Sequence, residues 1–212
     1  MILTILGAPG AGKGTMAKEL STALKIPTIS TGALLRTEIA SGSKRGEMID
    51  ALISKGNFVP DDVIVEILCD RLKNDDCKNG YILDGFPRNL EQAINLPNYG
   101  IKLDVALLLT VSEEEIVERL TGRRECEKCR ATYHVKSNPP KTEDVCDVCG
   151  GKLARRSDDK EDIILKRISI YKKETEPLVS FFREKNLLTE VKGLETVEKT
   201  KISVFKALGI NV

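Results

Sequence analysis

At 212 residues the chain is long enough to bury an extensive core in one or two domains, and its 33 Lys and Arg against 32 Asp and Glu leave a formal charge of +1. That balance argues against a nucleic-acid or membrane-surface partner recognised by bulk charge, so any positive charge needed for an anionic ligand has to be gathered locally. No stretch has the ~18 continuous apolar residues of a membrane span, and the apolar start, with no basic segment before it, runs straight into a glycine-rich motif; a cytoplasmic protein is expected.

The first apolar run, Met1 to Leu6, predicts a short buried strand, and Gly7-Ala8-Pro9-Gly10-Ala11-Gly12-Lys13-Gly14-Thr15 turns it into a helix beginning Met16-Ala17-Lys18-Glu19-Leu20. Unsatisfied amides at a helix start, together with the helix dipole, place positive potential where glycines let the backbone approach a ligand closely. Lys13 adds a mobile charge able to follow the outer phosphates of a nucleotide. The spacing fits a phosphate-binding P-loop, with Gly14 where the general pattern has Ser or Thr and the hydroxyl one residue later, at Thr15.

Lys25-Ile26-Pro27-Thr28-Ile29-Ser30 predicts a second short strand. Two helical patterns follow, Ala33 to Ala40 and Lys44 to Ser54, split by Ser41-Gly42-Ser43, and they form a small helical insert. Pro60-Asp61-Asp62 starts a helix over Val63 to Leu72 with its acids in the first turn. Gly80 to Asp84 is a buried strand ending in Gly85-Phe86-Pro87-Arg88. A carboxylate at that end, beside a P-loop strand, is suited to hold magnesium directly or through water. Glu91 to Leu96 predicts a helix, and Val105 to Val111 a third buried strand. Apolar runs alternating with helices indicate an α/β fold with a parallel sheet covered on both faces.

Ser112-Glu113-Glu114-Glu115 is a capping box opening a helix that stops at Gly122. Arg119 and Arg123 would share a face if that helix continued. Then comes Cys126-x2-Cys129-x16-Cys146-x2-Cys149 in a segment poor in apolar residues, a zinc-ribbon spacing in which metal supplies the free energy that a hydrophobic core cannot. Four thiolates close the tetrahedron, so the metal is expected to be structural, leaving His134 as a solvated or packing residue. Cys69, on an apolar helical face, and Cys77, in a polar loop, are expected to be structural too. Mixed charges around the metal cysteines, with Tyr133 the segment's one aromatic, argue against a nucleic-acid surface. A long helix from about Lys160 to Lys173, a break at Pro177, a helix over Leu178 to Lys185, a strand over Leu187 to Val191, the turn Gly193-Leu194-Glu195 and a helix over Val197 to Leu208 complete the chain.

Taken together, the P-loop, Ser30-Thr31-Gly32 with Arg36, Asp84-Gly85-Phe86-Pro87-Arg88 with Gln92, Gly122-Arg123-Arg124, the four cysteines, Tyr133-His134 with Asn138-Pro139-Pro140, and Arg155-Arg156 before Asp158-Asp159 resemble the long-form bacterial adenylate kinases with a zinc-containing lid. The resemblance implies a P-loop kinase core with a five-stranded parallel sheet (residues 1–29, 60–121 and 160–212), an AMP-binding insert (30–59) and a zinc-bound lid (122–159). It implies reversible transfer of the terminal phosphoryl of Mg-ATP to AMP, giving two ADP, by a monomer. On the ATP side it places Gly10, Ala11, Gly12, Lys13, Gly14, Thr15, Arg119, Arg123, Thr132, Tyr133 and the backbone near Glu195. On the AMP side it places Thr31, Arg36, Asn57, Phe58, Val59, Gly85, Phe86, Pro87, Arg88, Gln92, Arg156 and Arg167. Lys13, Asp84, Arg88, Arg123, Arg156 and Arg167 would carry the chemistry, with Zn2+ on Cys126, Cys129, Cys146 and Cys149 and Mg2+ arriving with ATP. The lid would close about Gly122, bringing in Arg123 and Arg156. A kinase of this fold acting on another base, GTP:AMP or pyrimidine, is the alternative.

Overall fold

The computed structural model describes residues 1–210. Five strands, β1 (Ile2–Leu6), β2 (Thr28–Ser30), β3 (Tyr81–Asp84), β4 (Val105–Thr110) and a later β8 (Leu188–Lys192), form one parallel sheet in the order β2-β3-β1-β4-β8. Side chains alternate across it, and both faces are buried. Leu3, Ile5, Ile82, Leu107 and Leu109 pack one way, against the helices α1 (Lys13–Leu24) and, near the C-terminus, α9 (Val197–Ala207). Leu6, Leu83, Ala106 and Leu108 pack the other way, among Leu35, Leu68, Leu178 and Phe182.

The register fixes where a ligand can sit. Ile5 and Ser30 both pair with Asp84, so β1, β2 and β3 end level, and the loops after Leu6, Ser30 and Asp84 open side by side. From β1 the chain runs out to β2 on one side, and from β3, the neighbour of β1, it crosses to β4 on the other, so the carboxyl ends of β1 and β3 form the switch point where open α/β sheets bind ligands.

Between β2 and β3 lie α2 (Thr31–Ala40), α3 (Lys44–Ile53) and α4 (Asp61–Leu72). The first two pack closely because α3 carries Gly46 at the contact: a Cβ there would lie 2.4 Å from the Glu38 carbonyl oxygen. After α5 (Leu90–Ile94) and β4, the predicted capping box forms at the start of α6 (Glu113–Thr121), with Ser112 and Glu115 bonding each other's backbone amides.

A second sheet, antiparallel and ordered β6-β5-β7, is built from β5 (Arg123–Cys126), β6 (Thr132–His134) and β7 (Leu153–Ala154). Arg123 therefore lies on a strand and does not continue the face of Arg119, because α6 ends at Thr121. His134 ties this sheet to α6. Its Nδ1 accepts from the amides of Lys136 and Ser137, so Nε2 carries the proton and donates to the Glu118 carbonyl at 3.2 Å. Gly122 lies flat on the imidazole, where a Cβ would come within 2.3 Å of Nε2.

The long C-terminal helix expected from Lys160 is α7 (Glu161–Ile170), and it widens into a π-helical turn over Tyr171–Thr175 before α8 (Pro177–Glu184) resumes with proline in its first turn. Cys77 ends the polar turn Asp75–Cys77, as expected, but turns its side chain into the core, with its sulfur 3.3 Å from the Arg71 guanidinium.

Candidate active site

The turn after β1 puts Gly12, in a left-handed conformation (φ 91°), before a helix that starts at Lys13, so Lys13, Gly14 and Thr15 form its first turn. Gly10 is also left-handed and sits against Leu120, leaving no room for a side chain. Lys13 folds back over the loop, and its ammonium donates to the carbonyls of Gly7 and Ala8 at 2.8 Å each. Withdrawal from solvent, helped by the charges of Arg88, Arg167 and Arg123 and opposed by Asp84, lowers its pKa from 10.5 to about 8. Asp84 lies across the loop from Gly14, with Oδ2 3.7 Å from where a Cβ on that glycine would stand.

A cavity opens from this loop, with Lys13 in its wall, and is lined further by Gly32, Phe58, Val59, Arg88 and Arg156 among others. Arg88 is held at both ends. Its Nε donates to the Gly85 carbonyl at 2.8 Å, and its own carbonyl accepts from the Thr175 hydroxyl at 2.7 Å, while its guanidinium lies 5.4 Å from the Phe58 ring centre. Gly85 is left-handed (φ 86°) and boxed in, since a Cβ would lie 2.8 Å from Thr31 Oγ1 and 2.9 Å from Arg88 Nη2. Thr31 in turn donates to the Gly85 carbonyl. Gln92, 1 % exposed, spends its amide on positioning: Oε1 accepts from the Arg88 backbone at 2.7 Å and Nε2 donates to Asp61 at 2.6 Å.

Three further arginines converge through two buried acids, Asp158 and Asp159, whose one sequence signal is their place after Arg155-Arg156. Asp159, fully buried, takes Arg123 in a bidentate pair (2.8 and 2.5 Å). Asp158 takes Arg156 likewise (2.9 and 2.8 Å), and Arg167 reaches both acids, at 3.0 Å to Asp158 and 3.4 Å to Asp159. The Arg155 side chain bonds the Asp159 carbonyl and fixes the turn. Burial, and then Arg156 and Arg123, push Arg167 down to about 10 against the pull of the acids. Burial also lowers Arg88, with Arg156 adding to it. Lys13, Arg88, Arg123, Arg156 and Arg167 thus face Asp84, Asp158 and Asp159. A partly desolvated cluster with more cations than anions is short of negative charge, and a polyphosphate supplies it.

Other expected residues fall differently. Arg119 reaches the turn after β8, where a Cβ on Gly193 would lie 3.9 Å from its Nη1, and Glu195 is exposed one step further on. Thr132 is exposed. Tyr133 is buried inside the small sheet, its hydroxyl accepting from the Asp147 amide at 2.8 Å and lying 3.5 Å from the Cys146 sulfur, so its ring does not face the phosphate loop. The ring of Phe86 is likewise core, packed near Tyr99, while Pro87 lines the cavity. Tyr171 and Thr175 of the π turn line it too, and Tyr171 is pushed up to about 12 by burial. Periodicity hides such residues because a π turn rotates side chains off the helical register.

The four cysteine sulfurs lie within 4.8 Å of one another, with Cys126–Cys149 and Cys129–Cys146 each at 3.5 Å. Tetrahedral zinc with bonds of ~2.3 Å needs sulfurs ~3.8 Å apart, so the donor set fits one such ion. Gly151 makes room for it, since a Cβ there would be 3.0 Å from the Cys126 sulfur. Burial works against the Cys146 thiolate, yet bonds from Tyr133 and nearby backbone amides bring it down to about 6.

The adenylate kinase family model matches residues 5–187. Among curated proteins, the chain is 46 % identical to an adenylate kinase of Caldicellulosiruptor saccharolyticus, over 99 % of this chain and all of that one. It is 45 % identical to an adenylate kinase of Clostridium beijerinckii over the full length of both, and 47 % identical to one of Clostridium tetani over 95 % and 94 %. Agreement at this level from end to end goes beyond a shared fold, and with a phosphate loop facing an under-neutralised arginine cluster it places the chain in the adenylate kinase family, the nucleoside monophosphate kinases that act as ATP:AMP phosphotransferases.

Proposed function

We propose that the phosphate loop, with Lys13, holds the β- and γ-phosphates of ATP, that AMP lies in the cavity lined by Thr31, Arg36, Asn57 to Val59 and Arg88, and that Arg88, Arg123, Arg156 and Arg167 close on the group in flight. An AMP phosphate oxygen attacks the γ-phosphorus; the new P–O bond forms as the bond to the β,γ-bridging oxygen breaks, and ADP leaves with the electron pair. The acceptor is already an oxyanion, so no base is required. The barrier is the approach of two anions, and fixed positive charge lowers it. Support comes from the salt-bridge pattern. Asp158 and Asp159 tie Arg123, Arg156 and Arg167 to one another, so these three would move and act together.

Asp84 would hold the magnesium that arrives with ATP, directly or through water, and the metal would supply further positive charge to the phosphates. Cys126, Cys129, Cys146 and Cys149 would hold the zinc, which would cross-link the small sheet. Residues 30–59 and 122–159 act as the AMP-binding insert and the lid of a monomeric cytoplasmic enzyme, and the lid excludes water that would otherwise take the phosphoryl group. Among the described residues no helix is long and apolar enough to cross a membrane.

Coupled assays across ATP, GTP, AMP, CMP and UMP test the assignment. ATP with AMP is expected to have the highest kcat/KM, and a pyrimidine acceptor or GTP donor in first place would refute it. Single-turnover ATP hydrolysis without AMP is expected to be far slower than transfer; equal rates would mean that no lid gates the chemistry.

Lys13 gives a pH signature. With its pKa near 8 in the unliganded protein, it is largely deprotonated at pH ~8.5, whereas a bound phosphate restores it toward the usual lysine range near ~10.4. ATP binding at that pH should therefore take up protons, and affinity should fall as pH rises above 8. Calorimetry in buffers of different ionisation enthalpy reads the uptake directly; Lys13→Met should abolish it, and none in the parent protein would contradict the shift.

A further inference from the structure

Glu125 is a buried carboxylate to which the mechanism gives no role. On β5 it shares a face with Arg123, two residues back, and so points into the cleft, while the adjoining Cys126 side chain points to the metal-binding side. It is 8 % exposed, and three guanidinium groups surround it: Arg156 at 3.8 Å, Arg130 at 3.4 Å, and Arg36 at 3.9 Å, reaching across from α2. Arg36 is the less satisfied partner. Its Nε is buried with no hydrogen-bond partner among the described residues. Burial, and then Arg156, lower Arg36 to about 10, with Glu125 opposing.

The anchor within the lid has its own signature. Arg130 closes the first Cys-x2-Cys turn in a left-handed conformation (φ 63°), its amide bonding the Cys126 carbonyl at 3.0 Å, as Gly150 (φ 69°) does on Cys146 in the second turn. From that turn its guanidinium reaches Glu125 at 3.4 Å.

We propose that Glu125 is a built-in competitor for the phosphate of AMP: a lid carboxylate, braced by Arg130, that occupies Arg36 and Arg156 and must yield them when AMP binds. This rests on the reading that Arg36 and Arg156 face the AMP phosphate. The contacts at 3.8 and 3.9 Å are ion pairs without good hydrogen-bond geometry, so they can be exchanged for shorter, charge-assisted bonds to phosphate. The same contacts join the lid sheet to the AMP insert and bias the two toward each other. Glu125 thus sets AMP affinity below what its arginines alone would provide, and it does so on the acceptor side only.

The test is calorimetric binding of AMP and of ATP, with steady-state kinetics, for Glu125→Gln, Arg130→Gly and Arg36→Ala. Glutamine keeps the side-chain volume, and the β5 backbone pairs with β6 and β7 independently of this side chain, so the fold is retained. Glu125→Gln should lower both the Kd and the KM for AMP about three- to ten-fold, the range expected for removing one opposed, partly buried charge, with the ATP constants unchanged. Arg130→Gly should shift them the same way by a smaller factor. Unchanged or weaker AMP binding in Glu125→Gln, with Arg36→Ala weakening it, would overturn the competitor role alone. If Arg36→Ala leaves AMP binding intact, the underlying assignment of the AMP phosphate fails as well.

Discussion

Lys13→Met is expected to lower kcat by roughly 10³-fold, as removal of a preorganised charge at a transferring phosphoryl group does, with a much smaller effect on folding. The ammonium sits on the Gly7 and Ala8 carbonyls and is partly withdrawn from water, which lowers its pKa. Its removal leaves those two acceptors short of a donor, a cost of about 1–3 kcal/mol if they stay dry. It also removes a cation held beside Arg88, Arg123 and Arg167. The two effects oppose, so the melting temperature should move by only a few degrees while turnover collapses. The converse pattern, near-normal kcat with a lost fold, would make Lys13 a structural brace of the loop.

Removing the metal is expected to do the opposite. The small sheet buries only the cluster of Cys126, Tyr133, Cys146 and Leu153, with Ala131 and Cys149 packed beside it, too little apolar surface to hold about thirty residues without a cross-link. If chelation withdraws as little as about 3 kcal/mol from the folded state, the melting temperature falls by about 6–12 °C in a chain of this size. Activity at 25 °C should suffer less. Arg123 and Arg156 are held at the base of the lid by Asp159 and Asp158, and those bonds do not pass through the cysteines. Calorimetric melting before and after chelation, with assays of the same samples, checks both halves. Equal melting with and without metal would remove the structural role of the four thiolates.

Local chemistry made the sheet, the phosphate loop and the cysteine site legible in the sequence. A glycine-rich turn between an apolar strand and a helix, a capping box and a pair of Cys-x2-Cys motifs each declare themselves within a few residues. The features that escaped are made by contacts between distant segments. Nothing near Arg123 announces that Asp159 will hold it, and Glu125 reads as an ordinary lid acid until Arg36, from another part of the chain, is brought to 3.9 Å. The lid strands are two to four residues long, too short for alternation to show. Pro177 reads as a helix break, and it does mark the first turn of α8. The turn before it widens into a π form, which turns Thr175 onto the Arg88 carbonyl. Tyr133 and Phe86, placed at the site by resemblance, turn their rings into packed interiors, because an aromatic ring next to a cavity gains more from burial than from a wet wall.

The most direct measurement is a crystal structure with two adenosine units joined tail to tail through their phosphates. The guanidinium groups of Arg88, Arg123, Arg156 and Arg167 and the ammonium of Lys13 should lie within hydrogen-bond distance of the bridging phosphate oxygens. Phosphates bound elsewhere, or bound with these side chains turned to solvent, would contradict the account.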